Sequence, residues 1–411
     1  MTDDTLATGD VVVIGAGIVG LTTAWELTRR GFQVVLVDQR FVSFGASGRN
    51  PGSIWLQTRR DGLELDIAQA GKTIYDEYVA ELGDVFDYRH NGGLFFFEND
   101  AQGEVLAAHA AARAAAGLDV QVITRAEALG HSPLLPETAV GAVYCADDAQ
   151  IDTHQFLSAL SAACVRRGVL LFENTAVLST LRNGDQVEGV RTVRGTIYAP
   201  GVVWATGAWA ANLTMEGIDA STSTLRYGQV MTQPVGRGAS AIMHGPRGVY
   251  GCGALTDLPE FVPGLFAAPG AGLIGYDDTI SQNRGGSVYI GHSIDGRRSL
   301  NPHITLTATD AMVGLAGERF SGAVSELGIT GLWAGLSSET PDQLPIVDRA
   351  DDVHVNVGHA WGIASAPVAA RTMANLISGE ADEFAGRLGI DRLSLASGHE
   401  DEADLESSQR R

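Results

Sequence analysis

Apolar residues first run together at Val11–Ile14 and again at Val34–Val37, and between them they recur at helical spacing from Ile18 to Leu27. The pattern predicts a strand, a helix and a second strand. The first turn reads Gly15-Ala16-Gly17-Ile18-Val19-Gly20, and the second strand ends at Asp38. Such a unit binds a nucleotide: Gly15 permits the tight turn, Gly17 lets backbone N–H groups approach a pyrophosphate, and Gly20 lets helix and strand pack closely. Asp38, eighteen residues after Gly20, is placed to accept hydrogen bonds from ribose hydroxyls and would repel a 2′-phosphate. Ile18 and Val19 in the turn, and Gln39 and Arg40 just past Asp38, join the candidate nucleotide contacts.

Further along, the two periodicities alternate. A glycine-rich loop over 41–55 leads to an amphipathic helix predicted over 64–82, a strand over 92–99 and an alanine-rich helix over 102–117. A helix over 154–167 ends at Gly168, and an apolar strand is predicted over 169–177. Strands over 187–193 and 196–200 lead into 202–210, and 222–294 is rich in strand patterns broken by glycine and proline, which predicts an antiparallel sheet. Near the C-terminus, 353–379 reads as a strand, a small-residue turn at 358–362 and a helix whose positive end faces an anion or an electron-rich ring edge. The polar, acidic residues 386–411 predict a disordered tail.

Composition narrows the setting. With 411 residues, 45% of them hydrophobic, the chain can bury a substantial core, and two domains is the expectation for this length. A formal net charge of −21 argues against nucleic acid or an anionic membrane surface as partner. Cys145, Cys164 and Cys252 form neither a disulfide framework nor a paired metal or redox motif, so buried thiols in a reducing compartment, and no metal site, are expected. The first ten residues are acidic where a signal peptide needs positive charge, and no membrane span follows, so a cytoplasmic location is expected.

Six motifs, taken in order, resemble those of the FAD-dependent amine and amino-acid oxidoreductases, the family of D-amino acid oxidase, glycine oxidase and sarcosine oxidase. They are the N-terminal turn, Gly45-Ala46-Ser47-Gly48-Arg49-Asn50-Pro51-Gly52, Ile151-Asp152, Ala205-Thr206-Gly207, Thr340-Pro341-Asp342 and Gly358-His359-Ala360-Trp361-Gly362-Ile363. The resemblance spans nearly the whole chain and implies an α/β fold. A Rossmann-type FAD-binding domain would be assembled from 8–83, 147–217 and 330–385, with a second α+β substrate domain, 84–146 and 218–329, on a largely antiparallel sheet.

Roles follow from the resemblance. Ala46, Ser47, Arg49, Asn50, Pro51 and Gly52 would pass beside the flavin, and Val177 would lie against the adenine or be a plain buried strand valine. Ala205, Thr206 and Gly207, with Trp209 beside them, would close under the cofactor. Gly358, Trp361, Gly362 and Ile363 would bring backbone N–H groups and a helix dipole to the flavin N1 and C2 carbonyl, where negative charge gathers on reduction. Sarcosine oxidases carry a cysteine five residues before the threonine of the TPD turn; Gly335 stands there, so the FAD is expected to be non-covalent.

On the substrate side the chain departs from its relatives. Many amino-acid-oxidising members have arginine and proline before the TPD turn, where this chain has Ser337 and Ser338. Either another cation replaces that carboxylate clamp or the substrate lacks an α-carboxylate. Arg59 and Arg60, near the position of the carboxylate-binding arginines of sarcosine oxidases, are the favoured replacement, with a solvated surface pair as the alternative. Trp55 either walls the site or is a core tryptophan; Tyr250, Tyr276, His292, Ser337 and His359 are further candidates for lining it. Residues 279–293 resemble the strand pair of opine and proline dehydrogenase β subunits, which favours secondary amines and N-substituted amino acids. The expected reaction oxidises a C–N bond of a small amine or amino acid, such as a D-amino acid, an N-substituted amino acid or an opine. A hydride passes to flavin N5 and the imine hydrolyses. Oxygen or a protein or quinone partner would accept the electrons; the alternative reading is the flavin subunit of a multi-subunit dehydrogenase.

Overall fold

Four buried apolar residues in succession, at Val11–Ile14 and again at Val34–Val37, put apolar side chains on both faces of their strands. Only a sheet covered on both sides accommodates that. In the computed structural model, which describes residues 4–236, 241–266, 275–296, 298–320 and 324–393, the two lie side by side in a six-stranded sheet. Its order is Ile346–Ala350, Val353–Val357, Gly201–Trp204, Val11–Ile14, Val34–Val37 and Leu170–Phe172, parallel throughout except for the first strand. Val11, Val13 and Leu36 face the helices Ile18–Arg29, Thr153–Arg166 and Gly362–Ser378. Val12, Ile14 and Val35 face a four-stranded sheet of Thr5–Thr8, Gly195–Tyr198, Gln186–Thr192 and Val177–Asn183.

A larger sheet of eight strands forms the second layer system. Its order is Ile329–Glu339, Ser223–Pro234, Ser287–Asp295, Gly275–Gln282, Ile242–His244, Gly93–Phe97, Gly141–Cys145 and Val120–Thr124. Every neighbouring pair is antiparallel except Ile242–His244 with Gly93–Phe97. The fold is therefore the mixed α/β arrangement expected, a Rossmann-type sheet joined to a largely antiparallel one.

Three expectations change. The strand Ile329–Glu339, assigned from sequence to the nucleotide-binding part, pairs along its length with Ser223–Pro234 in the second sheet. The strand predicted over 169–177 is two strands in two sheets, separated at Asn174, whose φ of 51° turns the chain. The expected tail does not leave the fold at residue 386: Leu388 is fully buried, Ile390 N donates to Asp348, and Arg392 pairs with Asp342 at 2.8 Å. Residues 394–411 lie outside the described residues.

The C-terminal helix Gly362–Ser378 contains Pro367, which has no N–H to offer the carbonyl of Ile363. The hydroxyl of Tyr75, from the helix Leu63–Leu82, donates to that carbonyl at 2.7 Å instead. Among the described residues no helix is long and apolar enough to cross a membrane.

Candidate active site

The glycine turn is built so tightly that no side chain fits. A Cβ on Gly20 would stand 1.8 Å from the Gly15 carbonyl oxygen, and one on Gly15, at φ 110°, would stand 2.3 Å from the carbonyl oxygen of Ala205. Gly17 has no side-chain acceptor to cap the helix Ile18–Arg29; the hydroxyl of Ser47 accepts from Ile18 N at 3.0 Å instead. Asp38, at the end of the second strand, accepts from Ala16 N at 2.8 Å and Arg40 N at 2.7 Å. Burial raises its pKa, against the lowering effect of those two donors. Each oxygen keeps a free lone pair for a ribose hydroxyl.

Beside this turn opens a cavity of about 1220 Å³ between the two sheet systems. Its walls bring together residues far apart in sequence: Ile18, Ser47, Arg49 and Asn50 from the N-terminal region, Gly207, and 359–364 from the start of the C-terminal helix. Trp361 caps that helix without a side-chain acceptor, so its first-turn N–H groups face the cavity side unassisted by a cap. Arg49 is anchored by donating to the carbonyls of Phe44, Pro302 and Ala334. Ser338, on the wall, and Thr206, beside Gly207, have buried hydroxyl oxygens with no hydrogen-bond partner among the described residues. Glycines that admit no Cβ, an uncapped helix start and orphaned hydroxyls fit a dinucleotide cofactor.

Besides Arg49, the wall carries a second arginine, Arg59. It is 7% exposed, and its guanidinium lies 5.0 Å from the Trp361 ring and donates to the Thr58 hydroxyl at 2.8 and 3.1 Å and to the Gly251 carbonyl at 3.3 Å. Among the described residues no carboxylate forms an ion pair with it, and burial lowers its pKa. The loop that carries it is fixed from below. Asp148, fully buried, accepts from Leu56 N, Gln57 N and the Gln57 amide, and Arg113 donates to the Arg59 carbonyl at 2.8 Å.

Arg60, by contrast, points away from the cavity. Its guanidinium is held by Glu64 at 2.8 Å and Asp257 at 2.7 Å, so the expected pair of clamp arginines reduces to one. Tyr276 is likewise corrected: on the strand Gly275–Gln282 side chains alternate, so Asp277 and Thr279 face the cavity while Tyr276 and Ile280 join the core on the other face. The side chain of Tyr250 lies outside the described residues.

Trp55, His292, Ser337 and His359 all reach the wall. Ser337 donates to Glu339 at 2.7 Å. His359 is fixed between Ser365 and Asn356, each at 2.9 Å, and burial pushes its pKa down to about 3, so its ring is neutral. Val177, Trp209, Gln39 and Arg40 do not line the cavity; Val177 packs against the core below the six-stranded sheet, and Gln39 and Arg40 are exposed. Gly52 and Gly358 shape turns at φ 82° and 77° without reaching the wall.

Sequence reading missed Tyr227, His244, Asp277 and Glu339, which the second sheet brings to the same wall. Their one sequence signal is Asp277-Asp278 inside an otherwise strand-like run, a charge pair that a half-buried strand carries only with partners.

Comparison with known proteins agrees with this geometry. The family described as DAO, FAD dependent oxidoreductase, matches residues 10–376. A glycine oxidase of Pseudomonas aeruginosa is 27% identical over 386 residues, 90% of this chain and 94% of its own. A D-amino acid dehydrogenase of Granulibacter bethesdensis is 25% identical over 447 residues, covering 94% and 98%. The chain spans only 53% of the bifunctional protein ThiO/ThiG of Nostoc sp. and 26% of mouse mitochondrial sarcosine dehydrogenase, both 27% identical where they match. The crystal structure of L-proline dehydrogenase from P. horikoshii superposes with a TM-score of 0.79 over 95% of this chain and 99% of its own, at 24% identity, a likeness of fold.

Proposed function

This chain belongs to the DAO family of FAD-dependent oxidoreductases, and on that premise we propose that it oxidises the C–N bond of an amino acid whose carboxylate is held by Arg59. The observation that carries this reading is a buried guanidinium on the cavity wall with which, among the described residues, no carboxylate forms an ion pair. A buried guanidinium with acids only at longer range is costly, and a ligand carboxylate gripped through two N–H bonds relieves it. The named activities of the glycine oxidase and D-amino acid dehydrogenase relatives support the same substrate class.

FAD would be held by the turn at 15–20, by Ser47, Arg49 and Asn50, and by the start of the helix Gly362–Ser378; when bound, it supplies the hydride acceptor. The chain's own residues position the substrate. Arg59 fixes the carboxylate, and Trp55 and Trp361 wall off water. The amine reacts in its neutral form: the α C–H bond breaks with its electron pair leaving as hydride, the nitrogen lone pair closes the C=N bond, and water later adds to carbon and releases the nitrogen. His359, neutral and doubly hydrogen-bonded, serves to hold the turn. Cys145, Cys164 and Cys252 are buried and do not line the cavity, which supports non-covalent FAD.

Anaerobic addition of amino acids should bleach the flavin, and Arg59→Ala should weaken carboxylated substrates while sparing simple amines. Equal loss for both classes would remove the clamp. Turnover should rise with pH towards the substrate amine's own pKa; a flat profile from pH 6 to about 10 contradicts the neutral-amine scheme. Oxygen uptake against reduction of an artificial dye separates an oxidase from a dehydrogenase that passes electrons to a partner.

A further inference from the structure

Four carboxylates stand on or beside the substrate-facing wall of the second sheet, and three are satisfied. Asp295 forms a two-pronged pair with Arg226 at 2.7 and 2.8 Å, Asp278 is held by Arg319 at 2.5 Å, and Glu339 accepts from Ser337 and Tyr227. The fourth, Asp277, has no hydrogen-bond partner at Oδ1 among the described residues. Two histidines stand beside it: His244 Nε2, 3.7 Å from Oδ1, and His292 Nδ1, 3.7 Å from Oδ2.

The tautomer of His244 sharpens the picture. Its side chain is only 6% exposed, and Nδ1 lies 2.9 Å from the Gly245 carbonyl, an acceptor, so Nδ1 carries the proton. The other ring nitrogen, Nε2, faces the Asp277 oxygen. At 3.7 Å neither histidine reaches hydrogen-bond distance of Asp277, so its carboxylate on the cavity wall is left to a donor from a ligand. The acids that act on Arg59 are Glu64 and Asp148, and Asp277 is not among them. The carboxylate clamp and Asp277 stand on one cavity wall, and because the α-amine reacts in its neutral form, the charge of Asp277 is left for a second cationic group.

We propose that Asp277, His244 and His292 form a subsite for a second cationic group, so that the preferred substrate is an amino acid with an amine or guanidinium on its side chain. The proposal rests on Arg59 holding the carboxylate. An ammonium or guanidinium brings N–H donors to the unpartnered Asp277 oxygen and a positive charge to its carboxylate. A divalent metal suits the place less well: His244, Asp277 and Asp278 do bring ligand atoms within 4.8 Å of one another, but Asp278 is already neutralised by Arg319.

The test compares lysine, ornithine and arginine with norleucine, both enantiomers of each, on the flavin-loaded wild-type enzyme. We expect kcat/KM to favour a dibasic substrate by roughly tenfold or more, as a charge-assisted pair requires. Asp277→Asn should abolish that preference by lowering kcat/KM for the dibasic substrates far more than for norleucine, with flavin absorbance and melting temperature near wild type. If the wild type favours norleucine, or if Asp277→Asn lowers both substrates equally, the subsite is overturned. Stoichiometric bound metal with no dibasic preference, measured by elemental analysis, overturns it as well. If Arg59→Ala leaves amino-acid turnover intact, the clamp reading fails instead, and the dibasic-to-norleucine ratio of the wild type still judges Asp277 by itself.

Discussion

The two sides of the cavity are built from different materials. On the nucleotide side the determinants are backbone: glycines whose Cβ positions are already filled by carbonyl oxygens, an uncapped helix start, and strands buried on both faces. On the substrate side they are side chains that converge from the loop before the helix Leu63–Leu82 and from strands of the eight-stranded sheet. A backbone site leaves little room for variation because any added atom collides. A side-chain site can change its ligand with one substitution and keep its fold, which is how one architecture carries several substrate classes.

The largest effect should come from adding one methyl group to the backbone side. Gly20→Ala places a carbon 1.8 Å from a carbonyl oxygen, and neither backbone can yield, so a loss of about 3 kcal/mol or more is expected. Purified variant should carry little flavin by absorbance and melt well below wild type. Full flavin occupancy would break the contrast drawn between the two sides.

Next comes the buried acid under the substrate loop. Burial raises the pKa of Asp148 to about 6 from 3.8, against the donors from Leu56 and Gln57. Its folded form holds a proton that the unfolded chain has already released. This contribution to stability is therefore fully present below about pH 4 and is lost as pH rises through 6. The loss amounts to on the order of 3 kcal/mol. Denaturant titrations from pH 4 to 7 should show wild type losing stability relative to Asp148→Asn over that range; parallel curves would place the titration elsewhere.

Arg59→Ala should lower kcat/KM for carboxylated substrates by roughly a hundredfold, the scale for removing one partner of a buried charge pair. Flavin content should stay unchanged. Arg60→Ala, whose partners Glu64 and Asp257 hold it on the outside, should change it by less than about threefold. Steady-state kinetics on both variants sharpens the comparison to adjacent residues: equal effects would mean that the wall does not distinguish them.

Denaturation should release all the FAD, because Gly335 offers no attachment atom and the three cysteines lie off the wall. A mass increment remaining on the unfolded polypeptide contradicts this.

The nucleotide-binding unit was readable because its requirements are local. Gly15, Gly17, Gly20 and Asp38 act within one strand–helix–strand segment, and the chain's own geometry brings them together. The same holds for the turn at 358–362 and the helix after it. The choice between Arg59 and Arg60 could not be read this way, since it depends on Glu64 and Asp257 capturing one of them. Nor could the choice between Tyr276 and Asp277, because strand parity sends adjacent residues to opposite faces and the register is set by partner strands. His244 reaches Asp277 only because Ile242–His244 pairs with Gly275–Gln282.

By itself the sequence determined a glycine-lined cofactor cradle, the two kinds of sheet and the absence of the usual arginine before the TPD turn. Tertiary structure alone decided which cation, which carboxylate and which histidines share the cavity. The physical reason is range: backbone conformation is fixed by neighbours a few residues away, whereas a side chain's partner is fixed by the packing of strands dozens of residues apart.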